Sequence, residues 1–446
     1  MSSLSTPNVN GRFDYGSNLI ELDRYDSRHK AFIEQALRFP KASIDKDYHS
    51  VQKVRAYALH EVTHFIDFTT TLWGVEYIAR KSALLGKLIS GADFQQALDV
   101  FMLNASEIEM HDDLKEGDGS IELLSCDVVS HAVMYDKAHG GYIYICFLNK
   151  GEIVYKTPVS MLSVIESNAF SNEFIGLLVD LEKVEDVVGR EIEKQRIERE
   201  LNGYLDSPEF SEYTVFIYLA KKHFSCFDLK DVLSLVSSLC RFSMSISTVD
   251  MAKMANILEG SFKEQVVGNQ ICMDMRRGGC RHVLCFKTLL FLYGWVEEMS
   301  GSMRESLLDN LRRRPFDTIC LLWKERFNVD VIWSLAELEF GVMCRSIKES
   351  SILLDHYMVE ESKKANGGVS SRIPPGMIGI ERLKAPNILL GDCEEVKLPN
   401  GFDMSSMCYF DENIDKFIKI NQAYSTKKAC KFHMGLEQAW LSRYSL

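Results

Sequence analysis

Two histidines stand four residues apart, with a glutamate directly after the first: His60-Glu61-Val62-Thr63-His64. On an α-helix, residues i and i+4 lie one above the other on the same face. The two imidazoles can therefore aim at one ion, at the bond length of about 2 Å that zinc takes to nitrogen. Glu61 lies about 100° around the helix from His60. There it can flank a metal-bound water without occupying the metal and act as general base in peptide-bond hydrolysis. Asp67, three residues past His64, falls on the metal-bearing side and could orient an imidazole from behind. Two histidines do not complete a zinc site, so a third ligand is required.

Glu76 is the nearest acid downstream. If the helix continues, it sits about 18 Å from His64 at roughly 1.5 Å per residue, out of reach of the same ion. His111 in "EIEMHDD" is another candidate, but the polar "DDLKEGDGS" beside it reads as an exposed loop. Glu166 in "VIESNAFSNEF" is the best candidate. It follows Leu162, Val164 and Ile165 at the start of an apolar helix. A carboxylate is costly to bury there unless it is paired or metal-bound. The small Ala169, one turn on, lets a second helix come close. Glu173, two turns from Glu166 on the same face, either supports a ligating histidine or is exposed.

HEVTH followed on a later helix by Glu-Ser-x-Ala-x-x-x-Glu resembles the glutamate-zincins, the thermolysin-like and aminopeptidase-like metallopeptidases. The resemblance rests on two short motifs. It implies a zincin-like core in which His60, His64 and Glu166 bind Zn2+ and Glu61 is the catalytic base. The chain departs from the family pattern in places. The gap between His64 and Glu166 is longer than in familiar members. Ser167 stands where glycine is common, and Phe170 where the thermolysin group has an acid that supports a histidine. No G-x-M-E-N motif supports exopeptidase specificity. The resemblance also asks for an oxyanion-stabilising group, for which Tyr142, Tyr144, Tyr155 and His131 are candidates. An edge strand, "YIYICFL" or "EIVYK", could hold an extended substrate or be purely structural.

The elements that must position these residues follow from periodicity and punctuation. Residues 1–25 read as an irregular arm. "DSRHKAFIEQALRF" is helical from an Asp26 or Ser27 cap and stops at Pro40. Residues 51–88 form one long helix, or two in series, bearing HEVTH. "DFQQALDVFMLNASEIEMH" is helical from an Asp93 cap. Asn149-Lys150-Gly151 between β-rich runs predicts a hairpin, and helix resumes after Pro158. The fold class is mainly α (α+β). A zincin-like metal-binding region over 26–185, with a small hairpin or sheet, precedes a helical region over 186–365 with caps at Ser207 and Asp228. A loop-rich segment over 366–446 has short strands and a last helix near 423–444.

Lys plus Arg number 51 against 63 Asp plus Glu, a net charge of −12, which argues against sequence-independent nucleic-acid binding. Arg312-Arg313-Arg314 reads as a solvated helix end. None of the 12 cysteines forms a CxxC pair, and most sit in apolar runs as buried thiols. Cys272, Cys280, His282 and Cys285 match no common zinc module and flank a turn at Gly278-Gly279. No apolar run spans a membrane, and no P-loop, GxGxxG or GxSxG motif is present. The expectation is a soluble, cytoplasmic zinc metallopeptidase with a peptide or protein substrate. Two rivals remain: a zincin-like binding or scaffold protein without turnover, and a regulatory or toxin-type protease with one protein target.

Overall fold

The structure is a computed structural model that describes residues 11–14, 18–90, 95–350, 353–392 and 394–402. Two short strands, β1 (Arg12–Asp14) and β2 (Leu19–Leu22), precede helix α1 (Lys30–Arg38). The HEVTH helix is α2 (Tyr48–Thr70), followed by α3 (Leu72–Ile89) and α4 (Gln95–Leu114). Strands β3 (Glu116–Gly117), β4 (Val128–Asp136), β5 (Gly140–Asn149) and β6 (Glu152–Val159) lead into α5 (Met161–Leu181), which carries Glu166. The helical body continues through α6 (Val187–Asp206), α7 (Ser211–His223), α8 (Leu229–Ser245), α9 (Thr248–Glu259), α10 (Gln265–Met275) and α11 (Arg281–Glu298). It ends with α12 (Gly301–Arg313), α13 (Pro315–Phe327), α14 (Trp333–Glu349) and α15 (Leu353–Asn366). A short α16 (Pro375–Ile378), β7 (Ile388–Leu390) and β8 (Glu395–Val396) close the described chain. The chain is mainly helical, with two four-stranded sheets ordered β3-β6-β5-β4 and β1-β2-β7-β8.

The hairpin forms where its turn residues place it. Lys150 and Gly151 have φ of 51° and 84°, the pair of positive values that lets a two-residue turn match strand twist. Strand β5 is central between β6 and β4, so "YIYICFL" is not an edge. The edge on that side is β4, which the sequence pattern hid. An edge strand exposed on both faces has no clean apolar alternation, and β4 is buried at none of its nine positions.

The expected irregular arm over 1–25 is overturned in its described part. Every residue of β2 is buried, and the strand pairs in parallel with β7, Ile20 opposite Ile388. Its partner lies at the far end of the chain, where no local pattern reveals it. The proposed Asp93 cap and the helix near 423–444 lie outside the described residues. Among the described residues the larger hydrophobic cluster runs from Phe13 to Phe402, and a smaller one gathers Met110, Tyr142, Tyr144 and Cys146. No single helix among the described residues is long and apolar enough to cross a membrane.

Two glycines set how the site helices meet. Thr71 adopts an extended ψ of 159°, which breaks the run between α2 and α3. Gly74 then passes directly under the end of α2, where a Cβ would lie 2.3 Å from the Asp67 carbonyl oxygen. The close approach of α5 to α2 is made at Gly176, where a Cβ would meet Leu59 Cδ2 at 2.3 Å. Gly74→Ala must push backbone against backbone. It is expected to lower stability by about 1–3 kcal/mol, read as a shifted midpoint in urea unfolding. An unmoved midpoint would refute the tight α2–α3 bend.

Candidate metal centre

Helix α5 starts where its cap dictates. The Ser160 hydroxyl accepts the Ser163 N–H at 3.1 Å, and the Ser163 hydroxyl accepts the Ser160 N–H at 2.9 Å. This satisfies N-terminal donors that the helix cannot satisfy internally and sets Glu166 on the second turn. Opposite it, α2 presents His60 and His64. Their Nε2 atoms are 3.2 Å apart, and each is 3.3 Å from Glu166 Oε2. Four tetrahedral bonds of about 2.0–2.1 Å put ligand atoms roughly 3.3–3.4 Å apart. The three side chains thus form one face of such a tetrahedron, and this buried group could hold a metal ion. His60, His64 and Glu166 are 7%, 3% and 2% exposed.

The surrounding charges show what the group wants. Glu173 Oε2 lies 3.0 Å from His60 Nδ1. A proton on Nδ1 donated to Glu173 leaves the Nε2 lone pair for the centre. Burial pulls the His60 pKa down, but Glu166 and Glu173 outweigh it and hold the ring well above its ordinary value. Burial pushes Glu166 up, but His64 and His60 draw it down to about 2. Without an ion, the positive charge these groups gather is a proton. An ion that takes its place must release it.

Glu61 differs from its neighbours. It is buried and makes no hydrogen bond among the described residues. Burial first, then repulsion by Glu166 and Glu173, raises its carboxyl to about 7 against the pull of His60 and His64. Strand β1 lies against this side of α2. A Cβ on Gly11 would come within 3.3 Å of Glu61 Cγ, and the Phe13 ring stacks on His64 at 6.3 Å.

Asp67, read from sequence as a support for an imidazole, accepts from Asn168 Nδ2 at 2.6 Å and from Arg241 at 3.0 Å. Asn168 also accepts from the Ser237 hydroxyl at 2.7 Å. Asn172, one turn further, accepts the Gly376 N–H at 2.8 Å. This buried network ties the last turn of α2 to α5, α8 and α16. It positions the two ligand-bearing helices against each other.

The remaining candidates are dispersed. The polar stretch after His111 is exposed from Asp113 on, as expected, but His111 itself is not. It is fully buried on α4, its ring 3.2 Å from the hydroxyls of both Ser160 and Ser211. Helix α4 continues three residues past it, and the chain reaches the surface at Asp113 within that last turn. Glu76 pairs with Arg80 on α3. Tyr142 and Tyr144 pack with Met110 and Cys146, the Tyr155 hydroxyl donates to the Pro208 carbonyl, and His131 packs on Phe286. None of these contacts is with the triad. Phe170 packs among Phe174, Tyr204 and Tyr213, so the carboxylate against His60 comes from Glu173 instead. The residue that sequence reading missed is Tyr213, whose ring lies 6.0 Å from that of His60. It arrives through the packing of α7 on α5, and no local motif marks it. Cys272, Cys280 and Cys285 are free buried thiols beside the Gly278-Gly279 turn.

Two measurements check this reading. Arg241→Met leaves the Asp67 carboxylate buried without its cation and is expected to cost about 3–5 kcal/mol in denaturant unfolding, whereas adding Asp67→Leu restores most of it. Burial lowers the His111 pKa to about 3, so between pH 6.5 and 3 the unfolded chain takes up a proton that the folded ring refuses. Stability from this ring is complete above pH 6.5 and falls with pH at about 1.4 kcal/mol per unit. His111→Gln is expected to flatten that share of the acid limb. No family model matches the chain, and no curated protein or solved structure is similar enough to count as a match.

Proposed function

We propose that the chain is a zinc-dependent metallopeptidase of glutamate-zincin type, acting on a peptide or protein substrate. One observation carries this reading. A converging His60–His64–Glu166 triangle has tetrahedral edge lengths, and a buried carboxylate without a hydrogen bond among the described residues, Glu61, is adjacent in sequence to His60. The donor set of two imidazoles and one carboxylate, three protein ligands rather than four, suits hydrolytic zinc better than structural zinc.

Zinc bound by His60, His64 and Glu166 would supply a Lewis acid and a water of lowered pKa. The rest is the work of the chain. Glu61 takes the proton of the attacking water and returns it to the leaving amine. Glu173 holds His60 in one tautomer. Tyr213, whose ring packs on His60 at 6.0 Å, is the residue we assign to donate to a developing oxyanion.

Metal content by mass spectrometry on untagged protein is the first test, with about one zinc per chain expected. His64→Ala is expected to lose it. Glu61→Gln is expected to keep the zinc and lose peptide hydrolysis by a factor of about 10²–10⁴. A wild-type chain that takes up no zinc, even after incubation with it, sinks the proposal. Full activity in Glu61→Gln would sink the mechanism.

A further inference from the structure

His60, Glu61, His64 and Glu166 are between 2% and 7% exposed, so the centre as folded has no room for a peptide. Among the described residues, segment 11–14 lies over Glu61 and His64. At Gly11 the main chain itself makes the approach. A Cβ there would meet Leu22 Cδ2 at 2.8 Å, the Glu21 carbonyl oxygen at 3.1 Å and Glu61 Cγ at 3.3 Å. Two residues on, Phe13 is 5% exposed. Its ring stacks on His64 at 6.3 Å, meets Phe65 edge-on at 6.4 Å and lies 5.6 Å from Phe68.

The segment rests on a firm base but is short. Strand β1 is three residues long and stands at the end of its sheet, with β2 as its strand neighbour. Strand β2 is buried at every residue and pairs on its other side with β7, so it stays in place if β1 lifts. Arg12 stands opposite Glu21 and donates to its carboxylate at 2.7 Å. The Glu21 side chain is fully buried, whereas that of Arg12 is 27% exposed. Short segments at the edge of a fold open at lower free energy than the core beneath them.

We propose that segment 11–14 is an internal strap in the place of substrate, and that the peptide displacing it carries a basic residue followed by an aromatic one. The substrate half of this inference rests on the metallopeptidase reading. In that reading Glu61 serves a water beside the scissile carbonyl, and the main chain of the strap now lies against Glu61. With β1 lifted, the outer edge of β2 offers N–H and C=O groups to an extended peptide. Glu21, without the Arg12 guanidinium, draws in another cation. The cleft between His64, Phe65 and Phe68 takes another ring. The strap itself presents this pair of residues in that order, Arg12 and then Phe13.

The test starts on metal-free full-length protein, so that the strap and the zinc reading fail separately. Acylation of His64 by diethyl pyrocarbonate, followed by peptide mass spectrometry, reports how often the strap opens. His111, whose ring contacts Ser160 and Ser211 in the core, is the internal control for global loosening. Phe13→Ala is expected to raise the His64 rate by about tenfold or more and to leave His111 unchanged. Gly11→Val, which forces the main chain off Glu61 and keeps the Phe13 ring, is expected to act in the same direction. A synthetic peptide of residues 8–17, added to Phe13→Ala, is expected to restore protection of His64. The same peptide carrying Arg12→Gln or Phe13→Ala is expected to protect about tenfold less well. On zinc-loaded protein, Phe13→Ala is expected to cleave peptides containing Arg-Phe faster than the wild type does. Equal His64 rates in the wild type and both variants, or a parallel rise at His111, would overturn the strap. Protection blind to both peptide replacements would overturn the substrate assignment. Protection of His64 in a chain that takes up no zinc would support the strap while the metallopeptidase reading fell.

Discussion

The buried pair of Asp67 and Arg241 is the constraint on which the rest of the centre depends. A carboxylate and a guanidinium taken out of water are tolerated only where each finds the other and further hydrogen bonds satisfy what remains. Asp67 obtains Arg241 from α8 and Asn168 from α5. Asn168 lies two residues from Glu166, and Asp67 three residues from His64. Any slide or rotation of α2 against α5 that moved the ligands apart would therefore also uncouple this pair. Gly176 removes the side chain that would otherwise hold the two helices apart at Leu59. The charge pair and the glycine thus fix orientation and distance together.

The ligand triangle is preorganised in a way that leaves it electrostatically unfinished. Three groups with lone pairs converge at 3.2–3.3 Å, and Glu173 adds negative charge behind His60. In a site this dry, such an arrangement is stable only when positive charge lies between the groups. Glu61 stands at the edge of this field without a hydrogen-bond partner among the described residues. Its freedom contrasts with Asp67, a carboxylate buried as deeply on the same helix but held by two donors. The two acids differ in what surrounds them, and under the proposed function that difference separates a proton carrier from a structural anchor.

The parts of this arrangement that were legible in the sequence are those with local signatures. The i, i+4 histidines needed only helical geometry, and the Lys150-Gly151 turn needed only its φ preferences. Glu166 stood out because an acid on an apolar helical face demands an explanation. What could not be read depended on distant partners. The assignment of Asp67 required knowing that Arg241 and Asn168 face it. His111 looked solvent-exposed because its sequence neighbours are charged, while its ring points into the core between α5 and α7. Tyr213 reaches His60 only because α7 packs on α5. Strand β4 was hidden by its own exposure, and β2 by the remoteness of β7.

That last pairing has a consequence in time. The ribosome releases Ile20 long before Ile388, yet the two are neighbours in one sheet. Contacts between residues so far apart in sequence form late, because the intervening chain must first be ordered. During synthesis, α2 and α5 can associate and bring His60, His64 and Glu166 together while β2 still lacks its partner strand. The layer that lies over Glu61 is then the final piece of the assembly. An ion arriving with the nascent chain would meet an open cup, and the same ion leaving the finished protein would have to pass a closed one.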